Sequence, residues 1–398
     1  MRVIRAGQVF DGSAFLGPAT VYVEDGSITG LERGHPDPPD GAEVTSYDGT
    51  LLPGLVECHA HLVATSVIGS LEQAGELSDD DLDTRIRDGL AAQRAGGVTT
   101  VRDLGDRRYR TLAARELPGL PRVVSAGPPL TEPGGHCHYL GGEASGLDGV
   151  RRAVAEHVER GVDVIKVMAS GGMLTPGTDS FGVQFSEEEL RTAVEAAHEA
   201  GLQVLAHAHS LAGIRHALAA GVDGIEHVTG LTDAGLALPD ELLEQVASAG
   251  VQVCPTAGAN PQRIPPPERM PPGLRAMFER LGLDYPSFVA TRIGHLARMR
   301  THGIRVVSGT DAGISPAKAH GGLGFAVLDL VAADYPVAEA LATATSGAAV
   351  SCGLGEVTGA LRPGLVADLL VVDGDLATRP EGLLRPVAVL VRGEAQVS

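Results

Sequence analysis

The chain has 398 residues, 43% of them apolar but only 3% aromatic and none tryptophan, so a large core must be filled mainly by Val, Leu, Ile and Ala. A formal charge of −19 argues against a nucleic-acid partner, since phosphate binding needs basic surfaces that release counterions. No apolar run approaches the ~20 residues that span a bilayer, the start MRVIRAGQVFDGS lacks a signal-peptide core, and the four cysteines have no paired spacing. These features together predict a cytoplasmic protein with reduced thiols and no membrane partner; self-association into a homo-oligomer is left open.

From the N-terminus, MRVIRAGQVF, ATVYVEDGSITGL and AEVTSYDGTLLPG read as short strands with turn punctuation, including an Asp-Gly hairpin signal at Asp25 and Gly26. The middle changes idiom. Eight short β-branched runs follow in order: GLVECHAHL, VTTVRDLG, PRVVSAGP, VDVIKVMAS, LQVLAHAHS, VDGIEHV, GVQVCPTA and GIRVVSGTDAG. Helical patterns lie between them. SEEELRTAVEAAHEAG, for instance, begins with Ser186 as N-cap and Glu189 three residues on, and closes at Gly201. Alternating strands and helices imply parallel pairing, and eight repeats imply a (β/α)8 barrel rather than a doubly wound sheet. The end of the chain, ADLLVVDGD and PVAVLVRGEAQV, returns to short strands, so both termini are expected to build one small β-sandwich. The predicted division is residues 1–53 and 353–398 for the sandwich and 54–352 for the barrel.

Catalytic groups of such barrels sit at the C-terminal ends of the strands. Those positions hold His59 and His61 on the first strand, Lys166 on the fourth, His207 and His209 on the fifth, His227 on the sixth and Asp311 on the eighth. Residues two apart on a strand share a face, so His59 and His61 can bind one metal together. Lys166 sits in an apolar strand; burial disfavours its charged form, and a neutral amine can take up carbon dioxide to become an anionic carbamate that bridges two cations. It is one of only two lysines, the other being Lys318. His207 and His227 end neighbouring strands, and His209 shares the face of His207 and competes for the ligand role. Asp311 can bind a metal through one oxygen and take a proton through the other.

Taken as a set, HAH, KVMASGG, HAH, IEH and GTDAG resemble the binuclear amidohydrolases, above all the branch of Xaa-Pro dipeptidases, carboxypeptidases and ochratoxinase-like enzymes, which also includes imidazolonepropionase-like members. LLPGLVECHAHL and the closing ADLLVVDGD fit the same resemblance. It implies that His59, His61 and Asp311 hold a buried cation, that His207 and His227 hold an outer one, and that carboxylated Lys166 bridges the two. Zinc is the default for such ligands, with manganese or cobalt as substitutes. The implied reaction is hydrolysis of an amide or peptide C–N bond in a small peptide or N-acyl amino acid, with Asp311 moving the proton and His209 in reserve. Alternatives are tailoring of a modified precursor peptide, deamination or cyclic-amide hydrolysis, and a non-catalytic scaffold; the deaminase branch usually lacks the lysine.

Two loops are expected to choose the substrate. EPGGHCHYLGG after the third strand brings His136, His138 and Tyr139. The segment from Ala257 to Phe288, after the seventh strand, is far longer than the usual connection of about 2–6 residues and reads as a proline-stiffened extended lid. Its Arg263 and Arg269 are expected to grip a substrate carboxylate.

Overall fold

The computed structural model describes residues 1–396. The chain opens with strands β1 (Arg2–Phe10), β2 (Phe15–Glu24), β3 (Ser27–Arg33) and β4 (Glu43–Pro53). Strands β2 and β3 are joined by Asp25 and Gly26 with φ of 48° and 76°, the two left-handed residues that a tight hairpin turn requires.

Parallel strands follow. Strands β5 (Leu55–Ala60), β6 (Val98–Asp103) and β7 (Arg122–Ser125) pair in that order. Strands β8 (Val164–Met168), β9 (Gln203–Ser210) and β10 (Gly224–Thr232) form a second parallel set, to which β10 adds a short hairpin strand β11 (Gly235–Leu236) and the parallel β12 (Gln252–Cys254). β5, β6 and β8 are buried at every position, as expected of parallel strands covered on both faces.

Hydrogen bonds join the two sets at both edges. Asp163 N donates to Ser125 O at 2.9 Å and Leu130 N to Lys166 O at 2.8 Å, linking β7 to β8. On the far side, segment 305–312 runs between β12 and β5: Val307 N donates to Val253 O at 3.0 Å, and Cys58 N to Ser308 O at 3.1 Å. This segment is the eighth predicted strand, yet it forms only isolated bridges at Val306 and Ala312. The ladder breaks between them because Asp311 is left-handed, with φ 63°.

Helices fill the intervals, including Asp79–Ala95, Gly146–Arg160, Glu187–Glu199, Leu211–Ala220, Asp240–Ser248 and Tyr285–Thr301. The sequence signals at their starts are realised. The Ser186 hydroxyl accepts from Glu189 N while the Glu189 carboxylate accepts from Ser186 N, a reciprocal cap whose loss typically costs about 1 kcal/mol. Ser78 likewise caps the helix that begins with three aspartates. No helix among the described residues is long and apolar enough to cross a membrane.

Strands β13 (Leu369–Val372), β14 (Pro386–Val391) and β15 (Glu394–Gln396) then return to the first four. The termini make one continuous sheet, ordered β15-β14-β13-β4-β1-β2-β3, rather than two stacked ones. It curls so that Ile28 at the start of β3 bonds backbone to backbone with Gly364 and Leu365, just ahead of β13. Alternation decides the faces: Leu51, Leu369 and Val371 pack inside the curl with Val21 and Ile4, whereas Leu52, Leu370 and Val372 point the other way and join the large core of the parallel strands.

Candidate metal centre

The C-terminal ends of the parallel strands open into a cavity of about 180 Å³ lined by His59, His61, Lys166, His207, His209, His227 and Asp311. Two groups of ligand-type atoms lie in it, each with all its atoms within 4.8 Å of one another: His59, His61 and Asp311 in one, and His207, His209 and His227 in the other. In the first, Asp311 Oδ1 is 3.5 Å from His59 Nε2 and 3.3 Å from His61 Nε2. In the second, His209 and His227 are stacked with ring centroids 4.3 Å apart, and His207 meets both edge-on at 4.6 and 4.4 Å. The two groups approach at His59 and His227, whose rings are 5.2 Å apart.

Four of the five imidazoles are held through Nδ1, and His207 has its Nε2 3.2 Å from Gly171 O. His59 Nδ1 is 2.6 Å from Glu226 Oε2, His61 Nδ1 is 3.1 Å from Gly105 O, and His227 Nδ1 and His209 Nδ1 each lie 2.8 Å from a threonine hydroxyl, of Thr256 and Thr229. Such bonds orient the ring and choose which nitrogen faces the cavity. Gly105 owes its identity to this packing, since a Cβ there would stand 2.9 Å from the His61 ring.

Burial governs the charges. It pulls His59 down to about 4 and His209 to about 3, and holds His207 and His227 well below the usual histidine range, so these rings are neutral donors at neutral pH. Burial would raise Asp311, but His59 and His61 outweigh it and keep the carboxylate ionised. Lys166 is 1% exposed, and its Nζ has no hydrogen-bond partner among the described residues. Burial lowers its pKa, against the opposing pull of Glu226 and Asp311. A buried, unpartnered amine in one cavity with both ligand groups fits the carboxylated bridge of a two-cation centre, because the added carboxylate would supply the missing partners.

Residues 50–395 match the amidohydrolase family. The chain belongs to that family. Over 387 residues it is 29% identical to an uncharacterised protein of Mycobacterium tuberculosis, covering 94% of this chain and 90% of the other. It is 32% identical over 222 residues to the ochratoxinase of Aspergillus niger, 45% of this chain and 43% of that one. Among solved structures, a Xaa-Pro dipeptidase with bound methionine superposes with a TM-score of 0.85 at 24% identity over the full length of both chains, a likeness of fold. The protein is accordingly a hydrolase acting on amide C–N bonds.

In this amidohydrolase the loop residues fall apart from one another. His136 lies at the cavity, its Nδ1 2.8 Å from Thr175 Oγ1 and its ring 4.6 Å from that of His207. His138 and Tyr139, one and two residues beyond the left-handed Cys137 (φ 59°), instead line a separate cleft with Arg107 and Arg160. The expectation that both reach the substrate cavity is corrected. So is the expectation for Arg263 and Arg269: both side chains are exposed and neither lines the cavity. The long segment does overhang the site, but through Ile264, Pro265, Met270, Leu274 and Phe288. Nor is it extended. Pro261 and Pro267 open single 3₁₀ turns, and Pro272 opens the helix Pro272–Leu281, at the helix starts where a missing N–H costs nothing.

Glu226 does not stand out in the sequence, because strict alternation turns it away from the face of His227. The backbone breaks that rule. His227 and Val228 have φ of 70° and 43°, and the pairing of β10 with β9 slips after His227, so consecutive side chains both reach the interior. A fully buried carboxylate in an apolar strand is the available signal. Below it Arg102, also buried, donates Nε to Cys58 O at 2.9 Å and stands 3.9 Å from Glu226 Oε1. Cys58, Cys254 and Cys352, remote in sequence, gather beside this pair as free thiols. Burial would raise Glu226, but His59 holds it down to about 2. Replacing Glu226 with Gln is therefore expected to weaken metal binding about 10- to 100-fold, as loss of a ligand-orienting partner does. Competition against a chelator would measure it, and wild-type affinity would show that Glu226 does not orient His59.

Proposed function

We propose that the chain hydrolyses an amide or peptide bond in a small peptide or N-acyl amino acid carrying a bulky apolar side chain, with two divalent cations, zinc by default, as cofactors. His59, His61 and Asp311 would hold one cation, His207 and His227 the other, with His209 alongside, and carboxylated Lys166 would bridge them. The observation that carries this reading is the buried, unpartnered Lys166 amine in one cavity with both ligand groups. Bound there, the cations would acidify water toward neutral pH and polarise the substrate carbonyl. Asp311, held as a carboxylate, would accept the proton of the attacking water and pass it to the departing amine. His136, kept neutral by burial with a pKa near 3, would offer its Nε2 to the substrate. The seams that join the two parallel sets support a single eight-stranded (β/α)8 barrel spanning about residues 54–352, with the curled terminal sheet as a second unit.

The apolar character of the substrate is read from the cavity mouth, where Met173, Ile264, Met270, Leu274, Tyr285 and Phe288 gather. Metal analysis of the purified protein, with a screen of N-acyl amino acids, dipeptides and longer peptides for newly released amines, tests the whole reading. A protein that carries no divalent metal, or releases amine from none of them, would refute it. Within that screen, Phe288→Ala is expected to raise KM for substrates with aromatic or branched side chains about tenfold or more, while barely changing it for alanine analogues. The Arg263→Ala, Arg269→Ala double variant should leave KM unchanged for acids and amides alike. A selective rise for acids would return the carboxylate contact to those arginines.

A further inference from the structure

Three strand ends at the cavity leave the extended conformation at the site itself. His227 and Val228 on β10, Thr256 just after β12, and Asp311 have φ of 70°, 43°, 47° and 63°. Left-handed residues other than glycine are strained and persist only where their surroundings hold them. Each break also turns carbonyl groups out of the strand ladder, and a buried carbonyl needs a partner.

Two cations meet these carbonyls. Arg292, on the helix Tyr285–Thr301, donates from Nη1 to Val228 O at 2.9 Å and from Nη2 to Pro255 O. Lys318 donates from Nζ to Thr256 O at 2.6 Å and to Thr310 O at 2.7 Å. The contacts therefore run in one line: from β10 to the 255–256 turn through Arg292, and from that turn to residues 310–311 through Lys318. Thr256 closes the line, with its hydroxyl 2.8 Å from Nδ1 of His227. Each bonded carbonyl belongs to a left-handed residue or to the residue just before one. Among the described residues neither cation is ion-paired with a carboxylate, so their hydrogen bonds to backbone are their chief fixed contacts. The donor types match the tasks: the planar fork of arginine spans two separated carbonyls, whereas the compact ammonium serves two that converge. In a chain with only two lysines, one of them is Lys318.

We infer that Arg292 and Lys318 are positioning residues, a two-cation stitch that holds the ends of β10, β12 and segment 305–312 in the backbone arrangement that presents His227 and Asp311. The inference rests on the reading of those two side chains as metal ligands, and two separate measurements divide its fate from that of the reading. Zinc affinity is measured by chelator competition on full-length Arg292→Ala and Lys318→Ala. It should fall about 10- to 100-fold, the range for groups that orient ligands. Millimolar guanidinium should restore Arg292→Ala and methylammonium Lys318→Ala, a rescue that general destabilisation would not show. Independently of metal, backbone amide exchange should quicken around residues 227–230, 255–258 and 309–313 while the terminal sheet keeps its protection.

Should an alanine variant fail to fold, Arg292→Lys and Lys318→Arg keep the charge and alter only the number and direction of donors. They should bind zinc with intermediate affinity; wild-type affinity in both would overturn the stitch. Wild-type affinity and exchange in the alanine variants would overturn it as well. So would variants whose sole change is a raised KM for substrates bearing a carboxylate, which would make the two cations substrate contacts. If the native protein itself binds no zinc, the metal reading fails, and unchanged exchange at the three segments would be needed to remove the stitch too.

Discussion

Lys166→Ala is expected to strip most of the bound metal and to lower kcat/KM by ~10³ or more, several kcal/mol of transition-state stabilisation at 1.36 kcal/mol per decade. The side chain is 1% exposed, and its amine has no partner among the described residues. A charged ammonium there would lose its hydration, and the attraction of Glu226 and Asp311 does not make up for that loss. The neutral amine, favoured by burial, can add to carbon dioxide with loss of a proton, giving a carbamate that is anionic and has two oxygens to share. Alanine removes that anion and leaves the two ligand groups unbridged. Short carboxylates or bicarbonate supplied at high concentration should recover part of the metal content, since they can occupy the space left by the side chain. Metal content and amine release, measured on the same preparation, decide the matter. An alanine variant that keeps two metals per chain and full turnover would rule out the carbamate.

The second large effect is expected at Asp311. Asp311→Asn should remain folded and at least partly metallated, because the amide keeps an oxygen where Oδ1 lies 3.3 Å from His61 Nε2. Its kcat should nonetheless fall by ~10² or more, the usual cost of losing a group that both accepts and returns a proton. Burial works against ionisation at this position, but His59 and His61 prevail and hold the carboxyl well below the ordinary aspartate range. The residue is thus a ready acceptor at every pH at which the imidazoles can bind metal. Pre-steady-state and steady-state rates in parallel would separate chemistry from product release. Near-normal turnover with asparagine would shift the proton transfer to another group, His209 first, since its ring is neutral and lies in the same cavity.

Periodicity explains how much of the site is legible in the sequence. A strand of β-branched residues has a definite end and two definite faces, so the ends of eight such runs can be lined up from their spacing alone. His59, His61, Lys166, His207, His209, His227 and Asp311 share one cavity, as that logic requires. Where the backbone departs from the period, the reading fails. Glu226 escapes it because a left-handed His227 lets two successive side chains face inward. The eighth run has the pattern of a strand and is a bridged segment, with the left-handed Asp311 interrupting the ladder. Loops have no period to follow. His136, His138 and Tyr139 lie within four residues, yet the turn at Cys137 sends the last two to another cleft. The long segment after β12 gives its arginines to solvent and its apolar side chains to the cavity, the arrangement that desolvation favours.

The terminal sheet has a consequence for how the protein comes to exist. Strand β4 lies between β1, which the ribosome has already delivered, and β13, whose residues 369–372 emerge more than three hundred positions later. Throughout that interval one edge of β4 has no neighbour, and Leu51 lacks the Leu369 and Val371 that later pack with it inside the curl. A nascent chain in this condition presents an open strand edge with apolar flanks, which is a template for pairing with other chains. Residues 369–396 are therefore the closing piece of the first fifty, and a chain halted shortly before them would hold every proposed cation ligand and still leave that edge free to aggregate.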